Sequence, residues 1–167
     1  MSAFAAGNSV VLKPSEHTPN TSRLVKKIVE KVFPSEIMIV VEGDSKIASK
    51  LLEKKWDYIF FTGSVKIGEI VAMAAAKKLT PYTLELGGKS PAIINSDTDL
   101  KLASKRIVWG KFLNSGQTCV APDYLVAHKS IKGTLIKELI NRIEKTLGKQ
   151  LEKTDDFTAI VNEKNFN

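Results

Sequence analysis

The sequence has 167 residues, 43% of them hydrophobic and 26% charged, which is the composition of a globular chain with one or two domains. Its formal charge of +7 comes from lysines spread over several segments with helical spacing, which favours solvated helix faces over a nucleic-acid partner. No apolar run is long enough to span a bilayer and no basic leader precedes the first one, so we expect a cytoplasmic chain without a membrane partner.

Strand and helix patterns alternate regularly in the first half of the sequence. Short apolar runs predict strands at residues 9–13, 37–41, 58–61 and 82–86. Apolar residues at helical spacing predict three helices between these strands: one from a cap at Thr18 to Pro34, one capped by Asp44 or Ser45, and one from the turn at residues 63–64 to about residue 78. This order is typical of an α/β fold with a Rossmann-like parallel sheet and crossover helices.

The pattern changes after the glycine pair Gly87 and Gly88. Beyond this pair the sequence predicts a helix at residues 99–113, a loop at 114–123, a strand at 124–127, a helix at 131–147 and an irregular polar end at 150–167. We therefore predict two domains, residues 1–86 and residues 87–167. Trp56 and Trp109 fall at apolar positions and are predicted to be packing residues.

Cys119 is the sole cysteine, which excludes an intrachain disulfide, and no cluster of histidines or carboxylates predicts a metal site. Small and polar residues surround it, a composition typical of a loop rather than of a core. An exposed thiol on a loop can act as a nucleophile, whereas a lone cysteine is more often a small buried hydrophobe. The residues by themselves leave both interpretations open.

Glu85 stands between two leucines near the end of a predicted strand. Charged residues are seldom buried unless they are paired or functional, and a partly buried carboxylate at this point could serve as a general base. The alternative is that the alternation of the strand simply directs the Glu85 side chain to solvent.

Two turns that directly follow predicted strands could bind an anion or a sugar. The segment from Gly63 to Gly68 opens a helix, and a helix start can present free backbone N–H groups to an anion. The segment from Lys13 to Glu16 offers an amine and a carboxylate, which can bind the hydroxyl groups of a ribose. The alternatives are an ordinary tight turn and a solvated ion pair.

Four motifs in these segments resemble those of the NAD(P)-dependent aldehyde dehydrogenases, in the same order and at similar spacings. They are AGNSVVLKPSE at residues 6–16, FFTGS at 60–64, LELGGKSP at 84–91 and NSGQTC at 114–119. The runs LTP at 79–81, WGK at 109–111 and GQTCVAPDY at 116–124 look most like the class 3 branch, which oxidises aromatic and medium- or long-chain aliphatic aldehydes. The resemblance covers residues 4 to about 150.

The resemblance implies a role for each candidate residue. Cys119 is the expected nucleophile, which forms a thiohemiacetal and then a thioester, and its backbone N–H contributes to the oxyanion site. Glu85 is expected to activate the water that hydrolyses the thioester. The first domain is expected to bind NAD(P) and the second to hold the nucleophile. The expected cofactor-binding residues are Lys13, Ser15, Glu16, Gly63, Ser64, Gly68, Leu86 and Gly87.

The resemblance also implies the cofactor and the partners. Lys13 and Glu16 are expected to hold the adenosine ribose, where the carboxylate would repel a 2′-phosphate, so NAD is expected, with NADP as the second choice. An aldehyde is the expected substrate and a homodimer the expected assembly.

Members of the family are longer at both ends, so we expect this chain to be a truncated form. The upstream asparagine of the oxyanion site and the downstream segment that grips the nicotinamide ribose have no counterpart in it, which predicts little turnover by the chain alone. Two alternatives stay open. One is a nucleotide-binding or interaction module without turnover; the other is a CoA-acylating relative, against which the presence of Glu85 argues.

Overall fold

The computed structural model describes residues 2–150 and 157–166, and its fold is α/β, as predicted. The helices are α1 (Ser2–Ala5), α2 (Pro19–Val32), α3 (Ser45–Leu52), α4 (Val65–Ala76), α5 (Leu100–Phe112), α6 (Lys132–Leu147) and α7 (Glu163–Phe166). The strands are β1 (Val10–Leu12), β2 (Met38–Val40), β3 (Ile59–Thr62), β4 (Tyr82–Glu85), β5 (Ser90–Ile94) and β6 (Pro122–Ala127). None of the described helices is both long and apolar enough to span a membrane.

The strands form three two-stranded sheets, each joined by a crossover helix. β1 pairs with β2 in parallel, and β5 pairs with β6 in parallel with a register shift between Ser90 and Pro91. In the β3–β4 sheet, the N–H of Ile59 donates to Pro81 O at 3.1 Å and the N–H of Gly63 donates to Glu85 O at 3.0 Å, so the two strands advance in the same direction. Parallel strands with helical crossovers confirm the predicted fold class.

The chain divides into two compact units. The N-terminal unit consists of Met1–Phe61 and Lys66–Thr83, and the C-terminal unit of Thr62–Val65 and Leu84–Asn167. Whether the functional domains divide at residue 87 stays a prediction.

Each unit has its own small core. In the N-terminal unit Val29 of α2, Val40 of β2 and Ala75 of α4 are buried. In the C-terminal unit α5 packs on α6 and on β6, and β6 pairs with β5. The buried residues of this unit include Ile94, Ser104, Val108, Ala121 and Leu135.

Side chains cap the starts of α3 and α5 but not those of α2 and α6. Asp44 caps α3 by accepting from the backbone N–H groups of Lys46 and Ile47, and Asp99 caps α5 in the same way. Thr18 is the N-cap residue of α2 and Pro19 its first residue, as predicted, but the Thr18 side chain makes no capping hydrogen bond and instead donates to Ser15 O at 3.4 Å.

Three elements of the structure were not predicted from the sequence. Strand β5 was not predicted, because Pro91 weakens the strand pattern, and it is tolerated there at the register shift. Helices α1 and α7 were also missed; α7 lies in the predicted irregular end, whose residues 151–156 and 167 lie outside the described part of the chain.

The packing role predicted for Trp109 is wrong, because this residue is 68% exposed. Its neighbour Val108 occupies the buried face of α5, and Trp109 lies roughly 100° further round the helix. Trp56 is half-buried, and its indole N–H donates to Leu51 O at 2.7 Å.

Candidate active site

Cys119 lies in a tight turn of the C-terminal unit between α5 and β6. The N–H of Ala121 donates to Thr118 O at 3.2 Å and closes the turn, so Cys119 is its second residue. Its thiol is exposed, as the loop interpretation predicts. The backbone N–H of Cys119 has no acceptor among the described residues, so it is available to a developing negative charge at this position.

The backbone that leads into this turn is in an unusual conformation. Asn114, Ser115 and Gly116 have φ values of 52°, 56° and 75°, so three consecutive residues are left-handed. Glycine adopts this conformation without a steric cost, whereas the other two residues do so only where contacts hold them. A Cβ atom on Gly116 would lie 3.0 Å from Lys111 O, which gives a second reason for glycine at this position.

Gly88 and Ser90 lie directly against the backbone of Cys119. A Cβ atom on Gly88 would come within 2.6 Å of Cys119 O, a distance that real Cβ atoms do not reach. The Ser90 hydroxyl donates to the same carbonyl oxygen at 3.4 Å. The segment that follows β4 therefore holds the carbonyl group of the cysteine at the close distance that only glycine permits.

Glu85 is the last residue of β4, three residues before Gly88. Its side chain is exposed, so of the two interpretations left open by the sequence the structure favours a carboxylate directed to solvent. Its carbonyl oxygen accepts from the N–H of Gly63, and that N–H is therefore not one of the free donors predicted at the start of α4. Leu86 is half-buried, and Gly87 is exposed with open space around its Cα.

In the N-terminal unit, the turn after β1 forms a compact polar cluster. Lys13 Nζ lies 2.7 Å from Glu16 Oε2, and this hydrogen bond and charge hold the pKa of the Glu16 carboxyl below its usual value of 4.5. Ser15 shapes the turn, because its hydroxyl accepts from the N–H of His17 at 3.2 Å and its carbonyl accepts from the Ser22 hydroxyl at 3.0 Å. The amine and the carboxylate predicted to act together are therefore in contact.

The residues of the candidate anion-binding turn, residues 63–68, differ in their exposure to solvent. Gly63 and Ser64 are exposed at the N-terminal end of α4, where the helix dipole favours an anion. Gly68 is buried one turn into α4. Its position corresponds to a packing residue rather than to a residue that lines a surface site.

Sequence reasoning missed three residues beside Cys119. They are Gly88, Ser90 and Gln117, and only the paired glycines gave a signal that could have found one of them.

The described residues include no group of three or more histidine, cysteine, aspartate or glutamate side chains that could hold a metal ion.

The parallel α/β fold thus carries an exposed thiol on a loop bounded by glycines, which is a candidate site for a cysteine nucleophile. The chain belongs to the aldehyde dehydrogenase family, whose model matches residues 1–167.

The relatives that this chain is similar to include members of family 3. One is "Aldehyde dehydrogenase family 3 comG" of Dictyostelium discoideum, 48% identical over 160 residues, which are 95% of this chain and 34% of that protein. A further relative is "Aldehyde dehydrogenase, dimeric NADP-preferring" of Canis lupus familiaris, 42% identical over 98% of this chain and 36% of that protein.

A solved structure, "Substrate bound state of Staphylococcus Aureus AldH", matches with a TM-score of 0.87 and 44% identity, over 96% of this chain and 35% of that one. This chain thus spans about a third of the length of its relatives.

Proposed function

We propose that this chain carries the nucleophile, the water-activating base and part of the cofactor site for the NAD(P)-dependent oxidation of an aldehyde to a carboxylic acid. The observation that supports this most is the exposed thiol of Cys119, on a turn whose carbonyl contacts Ser90 and leaves no room for a side chain at Gly88. Membership of the aldehyde dehydrogenase family supplies the reaction class.

The proposed reaction begins with attack by the Cys119 thiolate on the aldehyde carbon, which forms a C–S bond and moves one electron pair onto the carbonyl oxygen. The free N–H of Cys119 donates a hydrogen bond to this oxyanion. The hydride lost from the same carbon leaves a thioester on the sulfur. Glu85 then removes a proton from water, which attacks the thioester, and the acid leaves as the thiol is restored.

The cofactor, when bound, accepts the hydride at its nicotinamide ring. The turn after β1 has suitable chemistry for its adenosine ribose, because Glu16 can accept and Lys13 can donate hydrogen bonds to hydroxyl groups. We propose that Ser15 keeps this turn in shape and that Gly63 and Ser64 lie at the pyrophosphate, where small residues allow close backbone approach. We propose that Leu86 and Gly87 border the nicotinamide, and the burial of Gly68 argues against a direct contact of Gly68 with the cofactor.

We propose NAD as the first cofactor, because the Glu16 carboxylate would repel the 2′-phosphate of NADP. The name of the relative from Canis lupus familiaris, "dimeric NADP-preferring", favours the opposite cofactor and also motivates the proposal of a homodimer. Titration of the purified chain with NAD and with NADP, together with light scattering, tests both proposals. The cytoplasmic location stays a prediction.

The reaction is tested with NADH formation from benzaldehyde or hexanal, and with p-nitrophenyl acetate, which acylates a nucleophilic thiol without a cofactor. We propose that the chain alone has little dehydrogenase turnover, so acylation is the decisive reaction, and we expect Cys119→Ser to lose acylation together with any NADH formation. Glu85→Gln should keep the first, stoichiometric acylation and accumulate the thioester, because only hydrolysis requires the base. Glu144→Gln, at an exposed carboxylate on α6, is the matched control and should behave as the wild type.

Three outcomes would contradict the proposal or direct it elsewhere. Acylation that persists in Cys119→Ser would remove the nucleophile assignment. NAD binding by a folded chain that shows neither reaction would favour a nucleotide-binding module without turnover. Product formation that requires added CoA would favour the CoA-acylating alternative.

A further inference from the structure

A short segment near the C-terminal end lies against the loop that leads into Cys119. We call residues 157–161 the strap. The ring of Phe157 lies 6.3 Å from the ring of Phe112, at an interplanar angle of 54°, at the end of α5. Residues 114–116, the three consecutive left-handed residues, are called the left-handed turn. The hydroxyl of its middle residue, Ser115, donates to Thr158 O. The strap is therefore joined to the loop by a ring contact and by a hydrogen bond between residues 43 positions apart.

Gln117 connects the loop to the strap with its whole side-chain amide. Its Nε2 donates to Asn114 O at 3.0 Å and to Ala159 O at 3.2 Å. Its Oε1 accepts from the N–H of Val161 at 2.9 Å. Both amide hydrogens and the amide oxygen thus have partners, and one of these partners is the carbonyl group of the first left-handed residue.

We propose that Gln117 is a positioning residue for the nucleophile: by joining the left-handed turn to the strap, it fixes the loop that presents the Cys119 thiol. Gln117 stands two residues before Cys119, so a change in its bonds is transmitted directly to the closed turn 118–121. The proposal rests on the proposed function only in naming Cys119 as the nucleophile.

The backbone conformation explains why the loop needs such support. Asn114 and Ser115 are left-handed although neither is glycine, and residues persist in this conformation only when surrounding contacts determine it. The strap and Gln117 supply contacts to Asn114 O and to the Ser115 hydroxyl. Without them the loop can relax to ordinary backbone angles, and the thiol then loses its fixed direction.

The sole thiol allows a direct test that requires no turnover. A trifluoromethyl group attached to Cys119 through a thiol-reactive ketone reports the environment of the thiol by ¹⁹F NMR. In the wild-type chain we expect one resonance displaced from that of the urea-unfolded chain. In Gln117→Ala we expect it to move at least half of the way to the unfolded position, with the thermal midpoint changed by only a few degrees.

Further variants distinguish the loss of the hydrogen bonds of the Gln117 amide from a general loss of stability. Gln117→Glu keeps an acceptor for Val161 but places a second acceptor against two carbonyl oxygens, so it should behave like Gln117→Ala. The matched control is Gln150→Ala, at the only other glutamine, which should leave the resonance in place. If Gln117→Ala does not fold, Val161→Pro removes the donor from the strap side and should produce the same displacement.

Amide hydrogen exchange provides the second measurement. In Gln117→Ala we expect exchange at Val161 to rise at least tenfold, with exchange in α2 unchanged. A resonance and a Val161 exchange rate that both stay at wild-type values in Gln117→Ala would overturn the proposal. Where Val161→Pro is the variant used, which has no amide hydrogen at residue 161, an unmoved resonance would overturn it. So would an equal displacement in Gln150→Ala. Failure of the proposed function is seen separately, as acylation that survives Cys119→Ser.

Discussion

The two candidate sites differ in how far along the chain their supporting contacts reach. In the N-terminal unit, the Lys13 and Glu16 pair and the bonds of Ser15 join residues two to seven positions apart. In the C-terminal unit, the Cys119 loop contacts Ser90, 29 positions away, and the strap, 42 to 44 positions from Gln117. The first site can form wherever its turn forms, whereas the second requires the whole unit to be packed.

The difference extends to backbone conformation. Among the described residues, left-handed non-glycine residues occur at Leu79, after α4, and at the consecutive pair Asn114 and Ser115. The pair leads directly into the Cys119 turn, so the loop that is supported from a distance is also the strained one. Substitutions should therefore affect the C-terminal site more strongly than the N-terminal one.

The largest effect is expected for Gly88→Ala. The added methyl group would meet Cys119 O at 2.6 Å, and because the obstacle is backbone, β5 or the Cys119 turn must move. We expect a loss of about 1–3 kcal/mol in the free energy of unfolding, as for other overpacked sites. The loss is measured by urea denaturation, and acylation by p-nitrophenyl acetate should slow in parallel.

Gly87→Ala is the matched control for this prediction. Nothing lies within 4 Å of a Cβ atom at Gly87, and its φ is not in the left-handed range, so stability should change by less than about 0.5 kcal/mol. Equal losses in the two variants would show that close approach to Cys119 does not distinguish these glycines.

Gly116→Ala should produce the next largest effect. It forces a third side chain into the left-handed run and brings a Cβ atom to 3.0 Å from Lys111 O. The expected cost is about 1–2 kcal/mol. Gly133→Ala, in the first turn of α6 with open space around its Cα, should instead be neutral or stabilising by up to about 1 kcal/mol. Thermal melts of the two variants should shift in opposite directions or differ by several degrees.

The sequence allowed the locally determined features to be predicted. The order of strands and helices follows from apolar periodicity, and the cap of α3 is Asp44, one of the two residues that the sequence offered for it. The Lys13 and Glu16 contact spans one turn. Cys119 was predicted to lie on a loop because its neighbours in the sequence are small and polar.

The features that sequence reasoning missed depend on distant partners. Gly88 is required by Cys119 O, which the glycine pair does not reveal, and the bonds of Gln117 depend on Ala159 and Val161, which no local pattern indicates. Exposure of the Glu85 carboxylate is likewise decided by packing, because a strand-end position is compatible with either face. Thr18 shows a different case, in which the local signal gives the N-cap position but the hydroxyl contacts Ser15 O instead of capping the helix.

The two units can also be compared by removing one helix N-cap from each and measuring the loss of stability. Asp44→Ala on α3 and Asp99→Ala on α5 each remove an acceptor for two backbone N–H groups, and each should cost about 1 kcal/mol. Thr18→Ala should cost less, because its side chain makes no capping bond. Hydrogen exchange should locate the first loss in α3 and the second in α5. A Thr18→Ala loss as large as that of Asp44→Ala would contradict this view of the helix ends.

The smallest effect is expected for the ion pair of the N-terminal unit. Lys13→Met removes the main cause of the lowered pKa of Glu16. Because Glu16 is 37% exposed, solvent screens the pair, and the loss at pH 7 should be less than about 1 kcal/mol. Lys27→Met, at an exposed lysine on α2 with no ion pair among the described residues, is the control.

The pH dependence gives this small effect a definite sign. A carboxyl group whose pKa is lowered by folding stabilises the folded state fully above its usual value of 4.5, and the stabilisation is lost as the pH falls below that value through the lower folded pKa. The difference in stability between the wild type and Lys13→Met should therefore be constant from pH 6 to 7 and shrink below about pH 4.5. A difference that grows on acidification would show that the pair does not act through the ionised Glu16. The N-terminal site would then no longer be an example of a site held by short-range contacts.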